Sequence, residues 1–173
     1  MRLYKSLLLL FAVIMTVACS SGKSEIITVE NGQFIKNGKP YYLIGTNMWY
    51  ATILASEGEG GDRERLSREL DSLKSIGIDN LRILVGADGD CSLPCKVEPM
   101  LQTAPGKYND TLLRGLDYLL VEMGKRDMQA VLYLNNSWEW SGGYSQYLTW
   151  AGYGKAPIPR IDGYSNFETF VGN

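Results

Sequence analysis

Histidine is absent from all 173 residues, which removes the Ser-His-Asp and Cys-His nucleophile schemes and most zinc sites. Any hydrolysis here would have to run on carboxylates. Net charge is almost absent too: 17 Lys and Arg against 19 Asp and Glu leave −2. With no basic patch there is no electrostatic case for nucleic acid. Cysteine is scarce, at three. Two thiols without histidine leave a metal shell half empty, so neither a metal nor a cofactor is expected. What is present is a 45% hydrophobic chain, enough for one ordinary globular domain.

The longest apolar stretch, Leu7 to Val17, follows Arg2 and Lys5 and is too short for a comfortable membrane span. Residues 1–18 therefore read as a targeting segment. Thr16-Val17-Ala18 before Cys19, and Ser20-Ser21-Gly22 after it, resemble the cleavage box of bacterial lipoproteins. That resemblance implies removal of 1–18, lipid on Cys19 that anchors the protein to a membrane in the periplasm or at the cell surface, a tether over 19–25, and a domain over 26–173. The alternative is an ordinary secretory signal with a chance cysteine. In both cases the mature chain is exported, and export makes a short-loop disulfide between Cys91 and Cys95 the favoured reading of that pair.

Within the domain, short apolar runs broken by Asn31-Gly32 and Asn37-Gly38 predict a β-meander, because Asn-Gly supplies the positive φ of tight hairpins. A longer strand follows over Tyr41–Thr46, ending in Asn47-Met48-Trp49-Tyr50. Asp62 is placed to cap a helix with Leu66, Leu70, Leu73 and Ile76 on its buried stripe, Glu64/Arg68 and Arg65/Glu69 at ion-pair spacing, and Gly77 at its stop. Asn80–Val85 reads as the next strand, and residues 86–107 as a long loop of functional rather than filler type. Asn109 or Asp110 caps a second helix burying Leu112, Leu113, Leu116, Leu119, Leu120 and Met123. The apolar run Ala130–Leu134 predicts a strand buried on both faces. A polar and aromatic tail follows, and Phe167–Val171 opens a third helix. Alternation of β and α elements argues for a parallel sheet.

Two places carry chemistry. Arg82 interrupts an apolar strand and needs a partner; it makes either a structural salt bridge or a contact that orients an acidic catalytic group. Asn135, Asn136, Trp138 and Trp140 stand where the 130–134 strand breaks. Indole faces suit the C–H face of a pyranose and amides suit its hydroxyls, though the indoles could equally cap the core. The same two readings apply to Trp49 and Tyr50.

Four segments, Gly45–Tyr50, Gly61–Leu66, Asn80-Leu81-Arg82 and Leu134–Gly143, together resemble the amino-terminal half of glycoside hydrolase family 5 endo-β-1,4-mannanases. The resemblance implies an α/β fold: an amino-terminal β-hairpin plus the first three βα units of a truncated TIM (β/α)8 barrel. It implies hydrolysis of β-mannan or manno-oligosaccharides with retention, by two glutamates about 5 Å apart. These follow strands four and seven of the family and neither is expected within this chain, so the chain alone is expected to be inactive. Arg82 matches the arginine that contacts the nucleophile. Trp49, Tyr50, Asn135, Asn136, Trp138 and Trp140 are the implied sugar-binding wall. The alternatives are a non-catalytic glycan-binding lipoprotein and a related β-glucanase or cellulase fragment.

Overall fold

The computed structural model describes residues 26–89 and 97–172. The expected signal segment, tether and lipid site at Cys19, and the expected Cys91–Cys95 disulfide, lie outside the described residues. The chain divides into two compact units between Tyr42 and Leu43.

The first unit is an antiparallel meander of β1 (Thr28–Glu30), β2 (Gln33–Lys36) and β3 (Lys39–Pro40). Asn31 and Asn37 take φ of 51° and 55°, each followed by a glycine of positive φ, as a type I′ turn requires. The two Asn-Gly pairs thus set the register, Thr28 opposite Ile35 and Ile35 opposite Pro40.

The second unit is built on a parallel sheet of β4 (Gly45–Asn47), β5 (Asn80–Leu84) and β8 (Gln129–Tyr133), with β5 in the centre. The strand expected over Tyr41–Thr46 is shorter and later than its sequence suggested. Its partner begins at Asn80, opposite Gly45, so upstream residues have no strand to ladder against. Ile44 is tied to the start of β5: its N–H donates to Asp79 Oδ1 at 3.0 Å, and its carbonyl accepts the Asp79 and Asn80 N–H groups at 3.0 and 3.3 Å.

Asn47, Arg82 and Val131 are register partners and share one face of the sheet. Leu81 and Ile83 point to the other and are fully buried. There they meet α1 (Ala51–Ala55), α2 (Arg63–Ser75) and α3 (Asp110–Lys125) through Leu54, Leu66, Leu70, Leu119 and Met123. Each buried aliphatic side chain contributes about 1.5–3 kcal/mol. Helix α2 starts as expected, with Asp62 accepting from the Arg65 N–H at 2.8 Å. Both i,i+4 ion pairs form on its solvated side. Ile76, expected in the buried stripe, is 74% exposed because the helix ends at Ser75. Asn109, not Asp110, caps α3. Leu113 and Leu120 are more than a third exposed; they sit 100° around the helix from Leu112 and Leu119, beyond the edge of the buried stripe. Arg126 joins the two helices by donating to Asp71 Oδ1 (2.7 Å), Glu122 Oε2 (2.8 Å) and Ser67 Oγ (2.8 Å).

Strand β8 is not buried on both faces: Val131 is 47% and Leu132 38% exposed. It pairs only with β5 and forms the edge of the sheet. The 86–107 stretch is not structureless; it contains the hairpin of β6 (Gln102–Ala104) and β7 (Lys107–Tyr108). After β8 come a 3-10 turn (Glu139–Ser141), then α4 (Gly143–Trp150), α5 (Pro159–Asp162) and α6 (Tyr164–Val171). Only α6 was legible in the sequence. Helix α4 buries Gly143, Ser145 and Gln146, so it carries no apolar periodicity. Among the described residues no helix is long and apolar enough to cross a membrane.

Candidate functional site

Parallel strands end on one side, so the segments after β4, β5 and β8 converge. They bring Asn47, Trp49, Arg82, Val97, Tyr133, Asn136, Trp138 and Trp140 around an open cleft of about 460 Å³. Its floor is apolar: Leu84, Ala87, Val97 and Met100 are buried, and Trp49, Tyr133 and Trp140 pack on them. Trp49 and Trp140 meet edge to face, with centroids 6.2 Å apart and planes at 70°. The two readings of the indoles therefore hold together, since the rings that close the floor also line the cleft. Trp138 is half exposed and lies parallel to Phe167 of α6, at 6.4 Å and 7°.

Arg82 is exposed on the open face of the sheet. Its guanidinium lies 3.7 Å over the Tyr133 ring, and no carboxylate pairs with it among the described residues. The contact its guanidinium makes here is with an aromatic face, worth about 0.5–2 kcal/mol depending on desolvation.

Two residues of the expected sugar wall point elsewhere. The Tyr50 hydroxyl donates to Glu69 Oε2 at 2.9 Å on helix α2, and burial together with that carboxylate raises its pKa. Asn135 turns away from the cleft to donate from Nδ2 to Asp88 Oδ2 at 2.8 Å. Asn136 does face the cleft. Its Oδ1 accepts the Trp138 N–H at 2.7 Å, while its enclosed Nδ2 has no partner among the described residues.

Asp88 is the residue sequence reasoning missed. It is 6% exposed and accepts from Asn135 and, through Oδ1, from Gln102 Nε2 at 3.0 Å. The Tyr147 hydroxyl is a third partner. Burial pushes the Asp88 carboxyl above its ordinary range, and the Gln102 and Tyr147 hydrogen bonds offset that only in part. Burial and the neighbouring Asp88 likewise raise Tyr147. The one sequence signal was an acidic residue in the loop after the central strand, which ends at Leu84.

Among the described residues the cleft lining includes no carboxylate, and Glu139 stands in the 3-10 turn outside it. No cluster of three His, Cys, Asp or Glu that could hold a metal occurs among the described residues. What the lining offers is stacking surface, two amides and one guanidinium.

Residues 24–173 match the family model described as GH family 5 beta-mannosidase-like. The glycoside hydrolase family 5 mannosidase of Rhizomucor miehei, in a variant crystallised with mannosyl-fructose, superposes with a TM-score of 0.80 at 34% identity. The match covers 85% of this chain and 36% of that one. A mannan endo-1,4-beta-mannosidase 1 of Arabidopsis thaliana is 28% identical over 134 residues, 78% of this chain and 31% of the relative. The chain thus spans about a third of the length of the relatives it matches.

Proposed function

The chain belongs to the GH family 5 beta-mannosidase-like family, and from that premise we propose that the protein containing it hydrolyses β-linked mannosides with retention of configuration. The observation that carries the reading is the cleft at the carboxyl ends of β4, β5 and β8, where Trp49, Trp138 and Trp140 stand beside Asn47, Asn136 and Arg82. Indole faces and amide groups match the apolar and hydroxyl faces of a pyranose. Endo action on β-1,4-mannan is the finer reading, with Arg82 contacting the nucleophile. The acid/base and nucleophile glutamates are supplied by residues other than these 173, so this chain alone is inactive. The sheet, open at β8, is one part of a (β/α)8 barrel.

The test is digestion of linear mannan and mannotetraose by the protein expressed from its whole reading frame, with products separated by size and their anomer followed by NMR. A ladder of oligosaccharides with retained anomer is expected. Mannose as the sole product makes the enzyme an exo-mannosidase, a reading that the family description favours. Cleavage of cello-oligosaccharides instead makes it a β-glucanase. No cleavage of any of them overturns the reading.

The carboxylate-free lining favours one second reading, a glycan-binding surface protein. Retention of residues 26–173 by mannan but not dextran, with no hydrolysis by the whole protein, is its signature. For location we propose export and a lipid anchor on Cys19. Movement of Cys19→Ser from the membrane fraction to the soluble fraction is the expected result, and unchanged membrane association rejects it. The Cys91–Cys95 disulfide is proposed with it; two free thiols in the exported, unreduced protein reject that pairing.

A further inference from the structure

Asp88 touches none of the cleft, yet every segment that shapes the cleft after β8 is fastened to it. Its Oδ2 takes Asn135 Nδ2 (2.8 Å) and its Oδ1 takes Gln102 Nε2 (3.0 Å). Its own N–H donates to Ser141 O at 3.0 Å. Both amide partners are locked in orientation. Gln102 Oε1 accepts the Gly106 N–H at 2.8 Å, and Asn135 Oδ1 accepts the Asn136 N–H at 2.6 Å. A backbone N–H can only meet an oxygen, so in each amide the NH2 must face Asp88. Three donors, the two amides and the Tyr147 hydroxyl, converge on one buried side chain, and the two oxygens of a carboxylate supply acceptors for them.

From Asn135 the connection runs directly to the cleft. The Asn135 side chain holds the Asn136 N–H, the Asn136 side chain holds the Trp138 N–H, and Asn136, Trp138 and Trp140 form one wall. We propose that Asp88 is a positioning residue for saccharide binding: its carboxylate, through Asn135, sets the register of residues 135–142 and so the placement of Asn136 and Trp138 against the sugar. This rests on the mannoside-hydrolase reading for its substrate and on the hydrogen-bond chain for its mechanism.

The test is a double-mutant cycle in the protein expressed from its whole reading frame. Asp88→Asn leaves one NH2 facing another. Asn135→Asp sets two carboxylates against each other. The double variant Asp88→Asn/Asn135→Asp restores the donor–acceptor match between positions 88 and 135: Asn at 88 donates to Asp at 135 and accepts from Gln102, while Asp at 135 still accepts the Asn136 N–H. Losing one buried hydrogen-bond match costs about 10-fold in the equilibrium it supports. Each single variant is expected to raise KM for mannotetraose about 10-fold with kcat within about twofold, and the double variant to return to within about threefold of the parent. Hydrogen exchange over 135–142 reads the same cycle without substrate: faster in both singles, restored in the double. Unchanged exchange and KM in Asp88→Asn, or a double variant no better than the singles, overturns the inference. A parent that leaves mannosides intact while the exchange cycle behaves as described overturns the proposed function and leaves the clamp standing.

Discussion

The Arg82 guanidinium lies 3.7 Å over the ring of Tyr133, a diagonal neighbour across the paired strands β5 and β8. A planar cation on an aromatic face holds its direction without a carboxylate, which leaves its N–H groups for a further partner. Lysine cannot reproduce that stack. In the protein expressed from its whole reading frame, Arg82→Lys is expected to lower kcat/KM on mannotetraose by on the order of 100-fold, the effect of misplacing a positioned group by about an ångström. Tyr133→Phe keeps the ring and should stay near the parent, whereas Tyr133→Leu should not. Near-parental turnover in Arg82→Lys rejects the assigned role.

Gly142 has φ of +88°, and a Cβ there would stand 1.9 Å from the Asp88 carbonyl oxygen. Gly142→Ala therefore combines a strained backbone, about 1–3 kcal/mol by itself, with a backbone clash that cannot relax cheaply. A clear drop in the chemical-denaturation midpoint and weakened binding of manno-oligosaccharide are expected. A variant as stable as the parent would mean that the 135–142 segment and Asp88 are not in this contact.

Arg126 links Asp71 and Glu122; its hydrogen bond holds the Asp71 carboxyl below its ordinary range, and hydrogen bonds from Lys125 first and Arg126 second do the same for Glu122. The folded state then binds fewer protons at these sites than the unfolded chain. Their contribution is complete above the ordinary carboxylate range and disappears as pH falls through the lowered values. Thermal midpoints of the parent and of Arg126→Met should differ at neutral pH and converge below about pH 4. A gap independent of pH would assign the effect to packing of the arginine stem.

Residues 26–173 expressed alone present an unpaired β8 edge with Val131 and Leu132 exposed and Leu134 75% exposed. Such an edge invites pairing between chains. Concentration-dependent association is expected in analytical ultracentrifugation. A monomer with a sharp cooperative thermal transition would contradict it.

Some features were determined by local sequence alone. The Asn-Gly turns, the Asp62 and Asn109 caps, the ion pairs of α2 and the buried stripe through Leu66, Leu70, Leu112, Leu119 and Met123 all depend on residues within a few positions of each other. Local chemistry decides them before any tertiary contact forms. The four ordered motifs likewise carried the family. What pairs with a side chain across elements could not be read in this way. Arg82 was seen to need a partner, but it is the register of β5 against β8 that lays its guanidinium over Tyr133. Asn135 and Tyr50 have the chemistry of a sugar wall, but tertiary neighbours, Asp88 and Glu69, turned them aside. Helix α4 was invisible because its buried face is Ser145 and Gln146. Asp88 was not singled out because what gives it a role, Asn135, 47 positions away, and the hairpin at Gln102, reaches it only in the fold. Residue types determined the groups this protein has available; only the fold, by burying some and orienting the rest, decided which of them face the cleft.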